Sequence, residues 1–213
     1  MKKFITTIPL QLGGGLKSAV YESADNDRLM YDKEISFPIL SVVNAYAEKG
    51  ETVKIFYIRQ EDSRTIANKE SFLSQLRELE DTVGCICEEE EILIPDDELI
   101  VTHLKTFEKL IERFEDRDIL YACMTFGTKP VPIVEMLALN YAYRALNDVS
   151  IGCVVYGQTR FAKDPDTGEL IVAEAKIFDV TSLIYMDEIV RKVADLKPMN
   201  PLNYIKTLLA TED

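Results

Sequence analysis

The sequence predicts an α/β fold: a Rossmann-like, mostly parallel sheet with helices on both faces, plus a C-terminal β-hairpin and helix. Three observations carry this expectation. Strand-like and helix-like segments alternate along the chain. Several strand segments, "TVKIFYI" at 52–58 most clearly, are continuous apolar runs, the pattern of strands covered on both faces. The 213 residues, 47% hydrophobic and 29% charged, suffice for one sizeable core, and they contain no internal repeat or low-complexity linker.

Residues 3–8, "KFITTI", are β-branched and aromatic and suit a first strand, which Pro9 and Gly13, Gly14 and Gly15 end in a loop. Residues 18–23 and 28–33 flank the turn-like "ADND" and read as a hairpin. Ser36 offers an N-cap, with Pro38 in the first turn, for a helix running to a stop at Gly50. After the strand at 52–58 come a polar amphipathic helix across 63–82, a strand across 85–94, a helix across 98–115 and a strand at 118–124. A helix from Pro130 to Leu146 and a strand at 151–157 follow. Asp164, Pro165 and Gly168 supply turn chemistry for a hairpin over 158–178. A last helix at 182–195 leads to a short tail expected to pack only in part. Residues 1–180 thus form the predicted Rossmann-like domain, with 181–213 packed on it or on a dimer partner.

Formal net charge is −13, from 24 Lys and Arg against 37 Asp and Glu. Binding of long nucleic acid rests on many Lys and Arg contacts to phosphate, so it is not expected; a small anion in a local positive pocket is still allowed. No apolar run approaches the roughly 20 residues that span a bilayer. The opening "MKKFITTIPLQLGG" lacks an apolar segment of signal-peptide length, so the expected location is the cytoplasm, with no membrane partner. Cys85, Cys87, Cys123 and Cys153 lie in apolar or strand-like stretches and read as buried free thiols, Cys85 and Cys87 as neighbours on one strand face. With His103 the sole histidine, a zinc site lacks ligands, and neither metal nor cofactor is expected. The acidic run Glu88 to Glu91 suits a solvated strand end or an edge strand protected by charge.

In such a sheet, ligands bind beyond the carboxyl ends of the strands, which directs attention to "PLQLGGG", "RQEDSR", "TFGTKP" and "GQTRF". The "TFGTKP" loop suits an anion. Gly127 permits close backbone approach, the Thr125 and Thr128 hydroxyls can donate, Lys129 brings charge, and the following helix N-terminus is expected to add free N–H groups. Against this stands a plain strand-to-helix turn with a solvated lysine. A Walker A loop fails because Thr128 precedes Lys129 and "LKS" follows Gly15; the dinucleotide fingerprint fails at Ser18. No G-x-S-x-G elbow exists, and His103 within "LIVTHLKTF" reads as a partly exposed structural histidine. Any chemistry would then rest on positioning and charge stabilisation.

Between Val131 and Leu146 only Glu135, Asn140 and Arg144 carry strongly polar groups, too few for a helix with a single core-facing stripe. Covering by the sheet on one side and a second subunit on the other satisfies this, and a two-fold axis would bring two "TFGTKP" loops together. Burial within one chain, beneath the C-terminal tail, is the alternative.

The "TIPLQ" loop after an early strand, and above all a strand followed by "TFGTKP" and a long apolar helix, resemble the CRISPR-associated Rossmann fold (CARF) sensors of type III CRISPR antiviral defence. The likeness extends over about residues 1–180. It implies a homodimer that binds one cyclic oligoadenylate ring across its two-fold axis. It places Thr125, Gly127, Thr128 and Lys129 against phosphates and ribose, with Thr7 and Gln11 lining the pocket from the first loop. Arg59, Gln60 and Gln158 are added by topology alone. Members of that family usually join the sensor to an effector such as a nuclease, and the residues after 157 are too few for one. Three explanations compete: a sensor signalling through a separate effector protein, the sensor part of a longer effector, and a metal-independent ring nuclease. In the last case a ribose 2′-hydroxyl attacks in line while Lys129 steadies the developing charge and Thr128 or Thr7 orients the phosphate. Two other classes stay open. One is a Rossmann-like enzyme or binding protein for a mononucleotide or small phosphorylated metabolite, held one per subunit; the other is a dimerising scaffold.

Overall fold

The computed structural model describes residues 1–10, 16–165 and 167–209. Seven strands form one sheet: β1 (Lys2–Thr7), β2 (Glu22–Ser23), β3 (Thr52–Gln60), β4 (Ile86–Ile94), β5 (Ile119–Cys123), β6 (Ser150–Lys163) and β7 (Leu170–Asp179). Their order is β2-β7-β6-β5-β1-β3-β4, and every neighbouring pair is parallel except β6 with β7. The Rossmann-like expectation therefore holds.

Strand alternation builds two cores. Phe4 points to the face covered by α1 (Ile39–Tyr46) and α2 (Ile66–Val83). Its neighbour Ile5 points to the face covered by α3 (Ile100–Ile111), α4 (Pro130–Ala145) and α5 (Thr181–Leu196). From the central β1, the chain adds β3 and β4 on one side and β5, β6 and β7 on the other. The sheet thus reverses its winding between β1 and β5, and a crevice opens at that point beyond the strands' carboxyl ends.

The charged run behaves as expected. β4 is an edge strand whose Glu88, Glu89 and Glu90 are exposed, while Glu91 pairs with Arg59 and Lys69. All four cysteines are buried and free, with the sulfurs of Cys85 and Cys87 3.8 Å apart.

Several boundaries differ from the sequence expectations. Residues 18–33 do not form a hairpin. Ala19 bridges Ile35, a 3₁₀ turn spans Asp27–Leu29, and Glu22–Ser23 pairs with Lys176 and Ile177 of β7. This segment plugs Tyr21, Leu29, Tyr31 and Ile35 into the first core, and that burial outweighs local strand pairing. Ser36 does not cap α1: its N–H donates to Gln75 Oε1 at 2.9 Å and its hydroxyl meets Ser18, so it ties the loop to α2. α1 ends at Tyr46, before Gly50, which at φ +80° forms the turn into β3 and donates to the Gly84 carbonyl. The strand at 151–157 and the first arm of the predicted hairpin are one continuous β6, because its pairing with β7 carries on past the sheet. The tail contains a further helix, α6 (Pro201–Leu209), none of whose residues is buried. Among the described residues, no helix is long and apolar enough to cross a membrane.

Candidate functional site

The reversal point between β1 and β5 holds a cavity of about 380 Å³, within the roughly 300–1,000 Å³ typical of small-molecule sites. Pro9 and Leu10 follow β1, Gln60 ends β3, Asp96 and Glu98 follow β4, and Thr125, Phe126, Gly127 and Thr128 follow β5. Of the expected ligand residues, this brings together Thr125, Gly127 and Thr128, with Lys129 next in chain.

Gly127 stands at φ +100°, a conformation other residues reach only with strain. A Cβ there would lie 3.2 Å from Thr7 Cγ2 and 3.2 Å from Val131 Cβ, so the loop packs directly on the end of β1. The Thr125 hydroxyl accepts the Gly157 N–H at 2.7 Å and contacts Cys123 Sγ at 3.1 Å. Its oxygen thereby anchors the loop to β6. Thr128 donates to Glu98 Oε2 at 3.1 Å.

Thr7 is buried beneath the loop and donates to Glu135 Oε1 at 3.0 Å. Glu135, from α4, is 1% exposed, and its second oxygen has no partner among the described residues. Desolvation pushes its carboxyl up to about 8, opposed by the Thr7 hydrogen bond, so it carries a proton at neutral pH. The same burial pushes the Cys123 thiol up to about 11.

The cations sort into committed and free. Arg59 is held by Glu91, the Gln60 carbonyl and Thr65 Oγ1. Arg64 is clamped on Asp62, whose carboxyl it holds down to about 2. Lys129 is exposed and, among the described residues, carries no ion pair.

One expectation for the loop is corrected. The N-terminus of α4 is poor in free N–H groups: Pro130 and Pro132 have none, and the Val131 N–H is spent on the Thr128 carbonyl. Anion attraction at this helix therefore falls on Lys129. His103 is also corrected, from partly exposed to buried, with Nε2 3.3 Å from Glu98 Oε2. Gln158 lies on β6 opposite Lys176, half-buried and outside the described cavity lining. Gln11 and the glycines at 13–15 lie outside the described residues.

Beside the loop, α3 and α4 present an apolar face. Ile133 is 60% exposed, Leu137 55%, Ile100 72% and Leu104 56%, and with His103 they flank a second groove of about 380 Å³. The helix predicted to be covered on two sides is thus covered on one by the sheet and left bare on the other within this chain. Gln60 was placed by topology alone, Phe126 lies within the "TFGTKP" loop but had no role assigned, and the walls contributed by Asp96 and Glu98 carried no sequence signal. Comparison of the chain with protein-family models and with curated proteins finds no match to either.

Proposed function

We propose that the protein binds a nucleotide at the β1/β5 crevice, and that this ligand is a cyclic oligoadenylate held by a homodimer, as in CARF sensors of type III CRISPR defence. The observation that carries the reading is adjacency. The "TFGTKP" loop opens the cavity on one side and starts α4 on the other, and α4 with α3 exposes Ile133, Leu137, Ile100 and Leu104. An apolar face of that kind is suited to a second copy of the chain. A two-fold axis there sets two loops side by side, matched to a ligand made of repeated units.

Within this reading Lys129 supplies phosphate attraction and Thr128 a hydroxyl released when Glu98 swings away. Thr7 ties the end of β1 to Glu135 of α4 and lies outside the described cavity lining. Ring cleavage would then rest on Lys129 and Thr128, with signalling to a separate effector as the non-catalytic outcome. The second reading, a mononucleotide or small phosphorylated metabolite, is supported by the size of the cavity, about 380 Å³, which suits one small molecule per subunit.

Calorimetric titration with cyclic tri-, tetra- and hexa-adenylate separates them. One site per two chains, weakened at least about tenfold by Lys129→Ala as expected for a lost charge-assisted contact, supports the sensor. Linear products in the recovered ligand would add ring cleavage. One site per chain supports the metabolite reading, and no heat with any ring removes the sensor reading.

A further inference from the structure

The sheet treats its two outer edges differently. β4 guards its open flank with consecutive glutamates, a usual protection against pairing with a foreign strand. At the other end β2 covers β7 only at Lys176 and Ile177, and over residues 170–175 that flank of β7 has no strand beside it among the described residues. The open stretch, "LIVAEA", carries one charged residue, Glu174, which is taken up by Lys176 at 2.6 Å and Arg160 at 3.2 Å.

Alternation assigns the free backbone groups. Ile177 gives its carbonyl to the Ala24 N–H at 3.0 Å, on the side away from β6, so Ala175 turns its N–H and C=O the same way. Ala175 is buried, and among the described residues nothing bonds to these two groups. Unpaired backbone in a buried residue is costly, and an added strand would relieve it. Past the irregularity at Arg160 and Phe161, the Asp164 N–H donates to the Glu169 carbonyl across the ribbon at 2.8 Å, which turns Val172 outward as well. The chain before β2 does not fill the gap. Ala19 bonds to Ile35 instead, and a groove of about 520 Å³ opens between residues 18–20 and 172–175. Small side chains, Ala19, Ala173 and Ala175 among them, let another backbone come close. Glu22 and Glu34 line it too; both are exposed, and neither has an ion-pair partner among the described residues.

We propose that this groove docks an extended segment of a partner protein, rich in lysine or arginine, which adds to β7 as a further strand. Backbone pairing with Val172 and Ala175 supplies the affinity, and Glu22 and Glu34 supply the preference for basic side chains. Charge selects this occupant: a second copy of a chain with net charge −13 would bring further carboxylates toward two unpaired glutamates. The inference is independent of the ligand read into the β1/β5 crevice, from which β6 separates the groove.

The probes are blocked peptides of about eight residues, a common strand length, alternating lysine with valine, threonine or tyrosine. Each is also made with every internal amide N-methylated, and with glutamate in place of lysine. N-methylation keeps the charge but removes the donors, so it separates strand addition from general attraction to an acidic protein. A lysine peptide is expected to bind and to slow exchange of the Ala175 amide proton at least about tenfold, and its N-methylated and glutamate forms to bind at least about tenfold more weakly. Glu22→Gln with Glu34→Gln should weaken binding about fivefold, as for two lost exposed charge pairs. Ala175→Pro removes an outward N–H without touching the ladder to β6 and should abolish binding; if it misfolds, the charge variant and the exchange measurement still decide. No binding by any lysine peptide, equal binding of the N-methylated form, or unchanged exchange at Ala175 overturns the proposal. Self-association that Ala175→Pro removes, seen by sedimentation, assigns the edge to a second copy and overturns it too.

Discussion

The two ends of one strand, β1, are built on opposite terms. At its amino end Lys3 is 1% exposed and meets Asp118, equally buried, at 2.6 Å. The same ammonium donates to the Arg113 carbonyl at 2.7 Å, and Asp118 Oδ2 accepts the Glu115 N–H at 2.7 Å. At the carboxyl end, four residues along, Thr7 reaches the Glu135 carboxyl group, whose second oxygen is bare. Both ends bury polar groups, but only the first satisfies them internally. The unsatisfied end lies beneath the crevice, outside the described cavity lining.

The largest break in this comparison comes at the amino end. Asp118→Ala removes the buried counter-ion of Lys3 and leaves only the exposed Glu115 carboxylate at 3.2 Å, which should cost about 3–5 kcal/mol in urea unfolding, whereas Lys3→Met with Asp118→Leu should restore much of the loss. A result below about 1 kcal/mol for the single change would mean that water reaches Lys3 and that the two ends do not differ.

Next in size is the pH response of the carboxyl end. Burial raises the folded Glu135 carboxyl from 4.5 to about 8, so the fold keeps a proton that the unfolded chain gives up. The stability this group supports is fully present below 4.5 and is lost as pH rises toward about 8, by about 1.4 kcal/mol per unit. Glu135→Gln cannot ionise and should flatten that slope in denaturation measured across the same window. An unchanged slope would place the titration elsewhere.

The smallest expected effect is steric. At Gly157 an added Cβ would lie 2.3 Å from Pro38 Cγ and 3.2 Å from Thr125 Oγ1, so Gly157→Ala should destabilise by about 1–3 kcal/mol. Ligand affinity should fall as well, because the Gly157 N–H positions Thr125. Stability loss with unaltered affinity would show that this anchor does not shape the crevice.

The parallel core was legible because a strand such as 52–58 has to be apolar on both faces, and no other element needs that pattern at that length. The charged edge was legible for the converse reason: four consecutive glutamates can stand only where one flank of a strand is open. The segment 18–33 was misread because Tyr21, Leu29 and Tyr31 have the spacing of short strands, while the partner of Glu22 and Ser23 lies about 150 residues away in sequence. For the site, the loop's position and its glycine could be found, and Glu135 stood out as an acid in an apolar helix. The bare oxygen of Glu135 could not be found, since having no partner is a property of the assembled surroundings. Nor did the helix start reveal its poverty in donors until Pro130 and Pro132 were set against the Val131 to Thr128 bond.

The placement of β1 between β3 and β5 also governs the order of assembly. β3 and β4 come before β5 in sequence, and β5 closes the other edge of β1 only once more than a hundred residues after β1 have been made. β2 must wait longer still, until Lys176 and Ile177 exist. During synthesis the early segment therefore leaves the ribosome with one edge of its central strand open and the apolar plug around Tyr21 and Leu29 undocked. Such long-range parallel pairing is slow to form and exposed to wrong partners, so yield from a cell should depend on growth temperature and chaperone supply more than the finished fold's stability would suggest.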